Sequence, residues 1–376
     1  MKVLVCIPCL LTGGTEIQTL SLVEALVAAG HEVVVVCYFE YADRMVERYR
    51  NAGATVELLS PDGKRPAGVK NTVINLWKGL RIIVKKYHPD IAHVQYMAPG
   101  AFPILVLRAL GMKKIIATAH TSADIYPSLK QIHWLNNHIL TAFQCITLKA
   151  EASFFGNASL FGNNTKLKKH GNHFTIYNNL PSYIEIAETP RKGIPKTIGV
   201  VSRLESIKGM DLAVPAFAEV HKRRPDLKLL VVGDGSQRQL MESQVKEFGL
   251  PNGSVLFAGR QNQDMLQSFY DRIDILLMPS RSEGFGLTAI EGMARGCVPV
   301  VSDTGGLPEV VKDGVSGLLH STESVDDMAA KIESLIDNPN LFEQLSRGAY
   351  KRAHAFSMER YQRQIATLYS LMHTNQ

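Results

Sequence analysis

The sequence predicts an α/β protein built from two doubly wound parallel-sheet domains, and three observations carry that expectation. Short apolar, β-branched runs alternate with helical patterns along both halves of the chain, which is the rhythm of strand-helix-strand crossovers. At 376 residues there is room for two such domains with substantial cores. Between the halves lies a polar stretch, 182–195, punctuated by proline and glycine, which reads as a linker. The expected domains are Rossmann-like, one over 1–185 and the other over 190–356.

The first half opens on a strand at 2–8. A Gly13-Gly14 loop, a helix over 15–29 and a strand at 31–37 follow, with Gly30 where the helix should stop. Further strands are expected at 55–59, 91–94, 115–119, 145–148 and 173–176, with helices at 41–52, 70–87 and 100–110 and a longer, later-helical connection over 123–142. In the second half, strands at 197–202, 228–233, 254–258, 274–278 and 298–302 alternate with helices near 209–224, 236–248, 263–271, 287–295 and 325–337. Such alternation makes a right-handed parallel sheet covered on both faces. Phe356, Tyr361, Ile365, Leu368, Tyr369 and Met372 give 357–376 an apolar face for packing.

A 45% apolar and 20% charged composition is that of a soluble globular protein, and no apolar run reaches the length of a membrane span. The apolar start is too short for a signal peptide and reads as a first strand, so a cytoplasmic location is expected. Cys6, Cys9, Cys37, Cys145 and Cys297 sit in apolar runs, the usage of a reducing compartment. Cys6 and Cys9 have the spacing of redox and metal motifs but lack a second ligand pair nearby.

The net charge of +6 is confined to one half. Residues 1–190 carry 19 Lys and Arg against 13 Asp and Glu, while the remainder carry 22 of each. Trp77, Leu80, Ile83 and Val84 share the segment 72–87 with Lys78, Arg81 and Lys85, giving a basic amphipathic helix. It is either a solvated surface helix or a dock for an anionic membrane surface or a phosphate-bearing acceptor. No aromatic-basic motif for nucleic acid is present.

The chemistry concentrates in EGFGLTAIE, from Glu283 to Glu291, between a buried strand-like run and a helix. Gly284 and Gly286 allow backbone N–H groups to approach a ligand where that helix begins, and helix N-termini favour anions. Carboxylates placed there accept hydrogen bonds from sugar or ribose hydroxyls. Neither an Asp-x-Asp at a strand end nor a His cluster at ligand spacing occurs, so no metal is expected. Thr12-Gly13-Gly14 is not the dinucleotide fingerprint, which argues against a dehydrogenase.

These residues resemble the retaining glycosyltransferases of the two-Rossmann-domain (GT-B) type, specifically family 4, the glycosyl transferases group 1. The likeness rests on Glu283 and Glu291 at their spacing, on GVVSRLESIKG (199–209) with Arg203 and Lys208, on VVGDG (231–235), FAGR (257–260) and GGLPE (305–309), and in the first half on TGG (12–14) and ATAH (117–120). It covers the whole chain. It implies two domains facing a cleft, the first on the acceptor side and the second holding the nucleotide-sugar donor, with the last helix (357–376) crossing back to the first.

By the same resemblance, His120, Arg203, Lys208 and Glu283 are the catalytic set. Arg203 and Lys208 meet the donor pyrophosphate, His120 and Glu283 the donor sugar, and Glu291 the ribose. Gly13, Gly14, Gly233, Gly235, Arg260, Gly284, Phe285, Gly286 and Leu287 complete the donor and nucleotide site, Arg260 beside the base. No cofactor and no metal are implied. The implied reaction moves a sugar from a UDP- or GDP-sugar to an acceptor hydroxyl with retention, in surface polysaccharide or glycolipid assembly, the acceptor being a saccharide or lipid-linked. The alternatives are a non-catalytic nucleotide-sugar-binding protein and a sugar-nucleotide 2-epimerase. Two departures from the family pattern stand out: Lys149-Ala-Glu151 where a Ser motif is common, and Asn178-Asn179-Leu180 before the linker.

Overall fold

A computed structural model describes residues 1–95 and 101–374. The chain divides into two compact units, Met1–Asn179 with Met358–Gln376, and Leu180–Ser357.

The first unit alternates strand and helix from β1 (Lys2–Ile7), α1 (Gly14–Ala28), β2 (Glu32–Cys37), α2 (Asp43–Asn51), β3 (Thr55–Leu58) and α3 (Val69–Tyr87) to β4 (Ile91–Gln95) and α4 (Phe102–Ala109). It continues through β5 (Ile115–Ala119), α5 (Leu129–His138), β6 (Ala142–Cys145), α6 (Leu148–Phe155) and β7 (His173–Thr175). The second runs β8 (Thr197–Val201), α7 (Met210–Arg223), β9 (Lys228–Val232), α8 (Arg238–Glu247), β10 (Val255–Gly259), α9 (Gln263–Tyr270), β11 (Ile275–Met278) and α10 (Leu287–Ala294). It closes with β12 (Val298–Ser302), α11 (Leu307–Val310), β13 (Leu318–His320), α12 (Val325–Asp337) and α13 (Pro339–Ala353), and α14 (Met358–Thr374) then belongs to the first unit.

Both sheets are wholly parallel and share one winding. The first has the order β3-β2-β1-β4-β5-β6-β7 and the second β10-β9-β8-β11-β12-β13. A strand buried on both faces must be apolar throughout, and the Val-rich β2 and the fully buried β12 meet that demand. The strand order reverses between β1 and β4 in one sheet and between β8 and β11 in the other. In such sheets ligands bind beyond the carboxyl ends of the strands at that switch.

The structure departs from the sequence expectation at several points, and α6, α11, β13 and α13 had no counterpart in it. The strand expected at 145–148 is β6, which ends at Cys145, because the Thr147 hydroxyl accepts a hydrogen bond from the Ala150 N–H and starts α6 at Leu148. The segment 182–195 is no loose linker. Ala187 N–H donates to Ala294 O (2.8 Å), Arg191 N–H to Ser346 Oγ (2.8 Å) and the Arg191 guanidinium to Tyr270 O (2.7 Å), which tie it into the second unit. Trp77 does not join the buried face of α3, which is Thr72, Leu76, Leu80 and Ile83; it is 40% exposed. The start of the helix expected at 100–110 and the end of that at 357–376 lie outside the described residues.

The apolar face expected near the C-terminus is buried in the first unit: Tyr361, Ile365, Leu368, Tyr369 and Met372 all lie inside. His93 of β4 fixes it there, with Nδ1 2.8 Å from the Tyr369 hydroxyl and Nε2 2.7 Å from Thr118 Oγ1. Phe356 instead packs edge-on against Phe285 in the second unit, ring centroids 5.7 Å apart.

Candidate functional site

The residues singled out in the second half all stand beyond the carboxyl ends of its strands. Arg203 follows β8, Gly233 and Gly235 follow β9, Arg260 follows β10, Glu283–Leu287 join β11 to α10, and Gly305–Gly306 follow β12. β8 and β11 are adjacent, so the loops carrying Arg203, Lys208 and Glu283 meet at the switch point.

They meet through an ion pair. Lys208 Nζ donates to Glu283 Oε2 at 2.7 Å, and the two side chains are 18% and 16% exposed. Lys208 closes a short 3-10 turn, Ser206–Lys208, and the Ile207 carbonyl accepts from Arg281 N–H at 3.0 Å. Arg281 itself binds this turn, donating to Ser206 O (2.5 Å) and in a fork to both oxygens of Asp211 (2.7 and 2.8 Å), and also to Glu323. Asp211 keeps its carboxyl below the ordinary range because of that guanidinium.

Two glycines make the close fit possible. Gly209 (φ 65°) and Gly305 (φ 54°) both lie in the left-handed region, and a Cβ on them would stand 2.0 Å from Pro279 O and 1.8 Å from Glu283 O. Gly306 N–H then donates to the Glu283 carbonyl at 3.0 Å. The loop bearing Glu283 is thus clasped from both sides.

Glu291 lies inside α10, 4% exposed. Its Oε1 accepts from the Tyr183 hydroxyl and its Oε2 from the Tyr270 hydroxyl, both at 2.6 Å. Burial raises its pKa, and the two phenols work against that rise. Neither tyrosine was among the residues expected from sequence. Tyr270 was legible only as an apolar position in a helix, and Tyr183 only as part of a linker.

The remaining expectations divide. Arg203 is exposed and makes no ion pair among the described residues; its charge helps depress the Glu205 carboxyl, after hydrogen bonds from Ser236. Arg260 is exposed, and no described contact joins it to Glu291 or Lys208. Phe285 was expected in the donor site through its backbone N–H; its side chain is 3% exposed and packs against Phe356. Gly284, Gly286 and Leu287 lead into α10, with Gly286 its N-terminal cap.

In the first unit, Gly13 caps α1 after β1 and Gly14 is the first residue of that helix, while His120 follows β5. Its Nε2 donates to Gln95 Oε1 at 2.9 Å, at the end of β4. Burial lowers its pKa to about 4, so at neutral pH the ring is uncharged and Nδ1 is an acceptor. Gln95, as the residue that sets this tautomer, carried no sequence signal and falls one residue past the strand expected at 91–94. The thiols of Cys6 and Cys9 are both pushed up to about 12 by burial, and the Cys9 Sγ donates to Glu16 Oε1 at 3.3 Å. Among the described residues, no group of three His, Cys, Asp or Glu is spaced to hold a metal, and no helix is long and apolar enough to cross a membrane.

Two Rossmann-like parallel-sheet units with this loop set define the GT-B class of fold. Solved structures of that kind superpose on nearly the whole chain. Sucrose-phosphate synthase from Thermosynechococcus elongatus does so with a TM-score of 0.78 at 20% identity, covering 100% of both chains. HepE of Anabaena in complex with UDP and glucose gives 0.77 at 18%, covering 98% of this chain and 99% of that one.

Residues 184–352 match the family model described as glycosyl transferases group 1, and residues 12–161 that described as glycosyltransferase family 4. The chain belongs to this glycosyltransferase family. Among curated relatives, a D-inositol 3-phosphate glycosyltransferase of Corynebacterium aurimucosum is 33% identical over 187 residues, 47% of this chain and 44% of that protein. A glycogen synthase of Mycobacterium tuberculosis is 31% identical over 166 residues, 44% and 40% of the two chains. The matched stretch spans less than half the length of these relatives.

Proposed function

We propose that the protein is a retaining, metal-independent glycosyltransferase that moves a sugar from a nucleotide-sugar, a UDP- or GDP-sugar, to an acceptor hydroxyl of a saccharide or lipid-linked glycan. The observation that carries this reading is the Lys208–Glu283 ion pair at the meeting of the β8 and β11 loops. It puts a cation and a hydroxyl acceptor side by side, which are the two groups that a phosphate and its attached sugar require.

In this reading the bond between the anomeric carbon and the phosphate oxygen breaks as the acceptor oxygen bonds to the same face of that carbon. The acceptor's proton passes to the departing phosphate oxygen. Lys208 and Arg203 offset the charge that grows on the leaving group. Glu283 accepts from donor-sugar hydroxyls while holding Lys208, and Glu291 takes the ribose. His120 is neutral and brings no charge of its own. HepE was solved with UDP and glucose, and also with UDP-glucose, which favours a uridine donor as the first to try here.

The test is a panel of nucleotide sugars screened by thermal shift, since a ligand bound only by the folded state raises its melting temperature. The stabilising donor is then incubated with candidate glycans, and the anomeric configuration of the product is read by NMR. An inverted product would refute retention. Binding of a donor with no transfer and no hydrolysis would favour a non-catalytic binding protein.

A further inference from the structure

We propose that α3 of the first unit is a membrane-docking helix that lies on an anionic bilayer surface and inserts apolar side chains between the headgroups. The helix is 19 residues long and contains no acidic residue. Its inward face is Thr72, Leu76, Leu80 and Ile83. At 100° per residue, the opposite face collects Lys70, Ile74, Trp77, Lys78, Arg81, Ile82 and Lys85, and every one of these is exposed. Ile74, Trp77 and Ile82 are 41, 40 and 64% exposed.

The cations on that face are uncommitted. Lys86, on the flank, is paired with Glu57 at 2.8 Å, whereas Lys70, Lys78, Arg81 and Lys85 make no ion pair among the described residues. A face built only to stay in water has no reason to hold a Trp and two Ile in the open among four cations. A phosphate-bearing soluble ligand accounts for the cations but leaves those apolar groups in water. An anionic bilayer accounts for both, because lysine and arginine meet the lipid phosphates while Trp and Ile sit at the headgroup–acyl boundary. The positive balance of residues 1–190, against the neutral remainder, gives the same half of the chain the attraction to orient toward such a surface. This inference does not depend on the catalytic reading. It concerns where the protein sits rather than what it transfers.

The experiment uses the full chain and flotation on vesicles of phosphatidylcholine alone or mixed with phosphatidylglycerol. The wild type floats with the anionic vesicles and stays behind with the neutral ones. Substituting Lys78, Arg81 and Lys85 with Gln lowers the partition coefficient about 100-fold, at roughly fivefold per cation. Because the chain has two tryptophans, Trp134→Phe leaves Trp77 as the sole reporter, and its emission moves to the blue on anionic vesicles. Circular dichroism and thermal melting confirm that each variant is folded. Equal recovery on both vesicle types, binding that survives the triple substitution, or an unmoved Trp77 emission overturns the proposal. Cation-dependent self-association without lipid would also overturn it, by showing a second copy as the occupant.

Discussion

Lys208 and Glu283, expected to serve different parts of the ligand, are bonded to each other at 2.7 Å. Their charges therefore set each other's position before any donor arrives. Lys208→Ala should lower kcat/KM by at least about 100-fold, the scale of one lost charge-stabilising donor. It also leaves Glu283 unpaired and facing an incoming phosphate. The double variant Lys208→Ala with Glu283→Gln should therefore lose less than the two single losses combined, with a coupling of about 1 kcal/mol or more. Additive losses would show that the pair is incidental. Excess EDTA should leave wild-type turnover unchanged, and chelator-sensitive turnover would refute the proposed metal independence.

Glu291 is held by two phenols, and its carboxylate is costly to keep charged inside the protein. An acid whose folded pKa is raised stabilises the fold at low pH and loses that contribution as pH climbs through the interval above its usual value near 4.5. Glu291→Gln removes that titration, so its stability should fall less than the wild type's between pH 4.5 and neutrality, read from urea midpoints. The same substitution should weaken bare nucleotide and full donor alike, by about tenfold or more if one charged hydrogen bond to ribose is lost. Calorimetry showing weaker binding only of the sugar-bearing donor would reassign Glu291.

The strands were legible because a parallel strand buried on both faces has to be apolar, and runs such as β2 and β12 can be little else. The motif residues were legible as types at strand ends. Their partnerships were not. Lys208 and Glu283 are 75 residues apart and meet only because β8 and β11 are neighbours across the strand-order reversal, a fact of topology. Tyr183 and Glu291, 108 apart, meet because 182–195 packs on the second unit, whereas its proline, glycine and polar residues read as a spacer. Trp77 was grouped in sequence with Leu80, Ile83 and Val84 as the apolar part of an amphipathic helix, and which of these face inward was not legible. The inward stripe runs through Leu76 and leaves Trp77 outside it.

Burial holds His93 at about 3 and His120 at about 4, below the ordinary 6.5. The unfolded chain therefore binds more protons than the folded one between those values. Stability from both residues is complete above pH 6.5; it is lost as pH falls toward 4 for His120 and toward 3 for His93, on the order of 3 and 5 kcal/mol at most. His93→Gln should flatten the dependence of unfolding free energy on pH across that interval by about one proton. An unchanged slope would show that His93 is not held neutral by the fold.

Arg281 is a residue outside the expected set that ties down the turn carrying Lys208. It grips Ser206 O and forks onto Asp211, so the turn that ends in Lys208 is tied to the loop that carries Glu283. The second carboxylate, Glu323, is held with φ at 66°, a left-handed conformation unusual for a side chain with a Cβ. Arg281→Gln keeps a polar side chain but cannot fork onto either acid, and should cost about 2 kcal/mol of stability, the range of a hydrogen bond to a charged group. Arg281→Lys keeps the charge without the planar fork and should recover part of the stability but little of the geometry. Donor affinity should then fall about tenfold in both variants, following the loss of a positioned Lys208 rather than the loss of stability. Calorimetry on folded protein well below the melting temperature separates the two effects. Wild-type donor affinity in Arg281→Lys would show that the backbone bonds to the Ile207 carbonyl suffice to hold the turn.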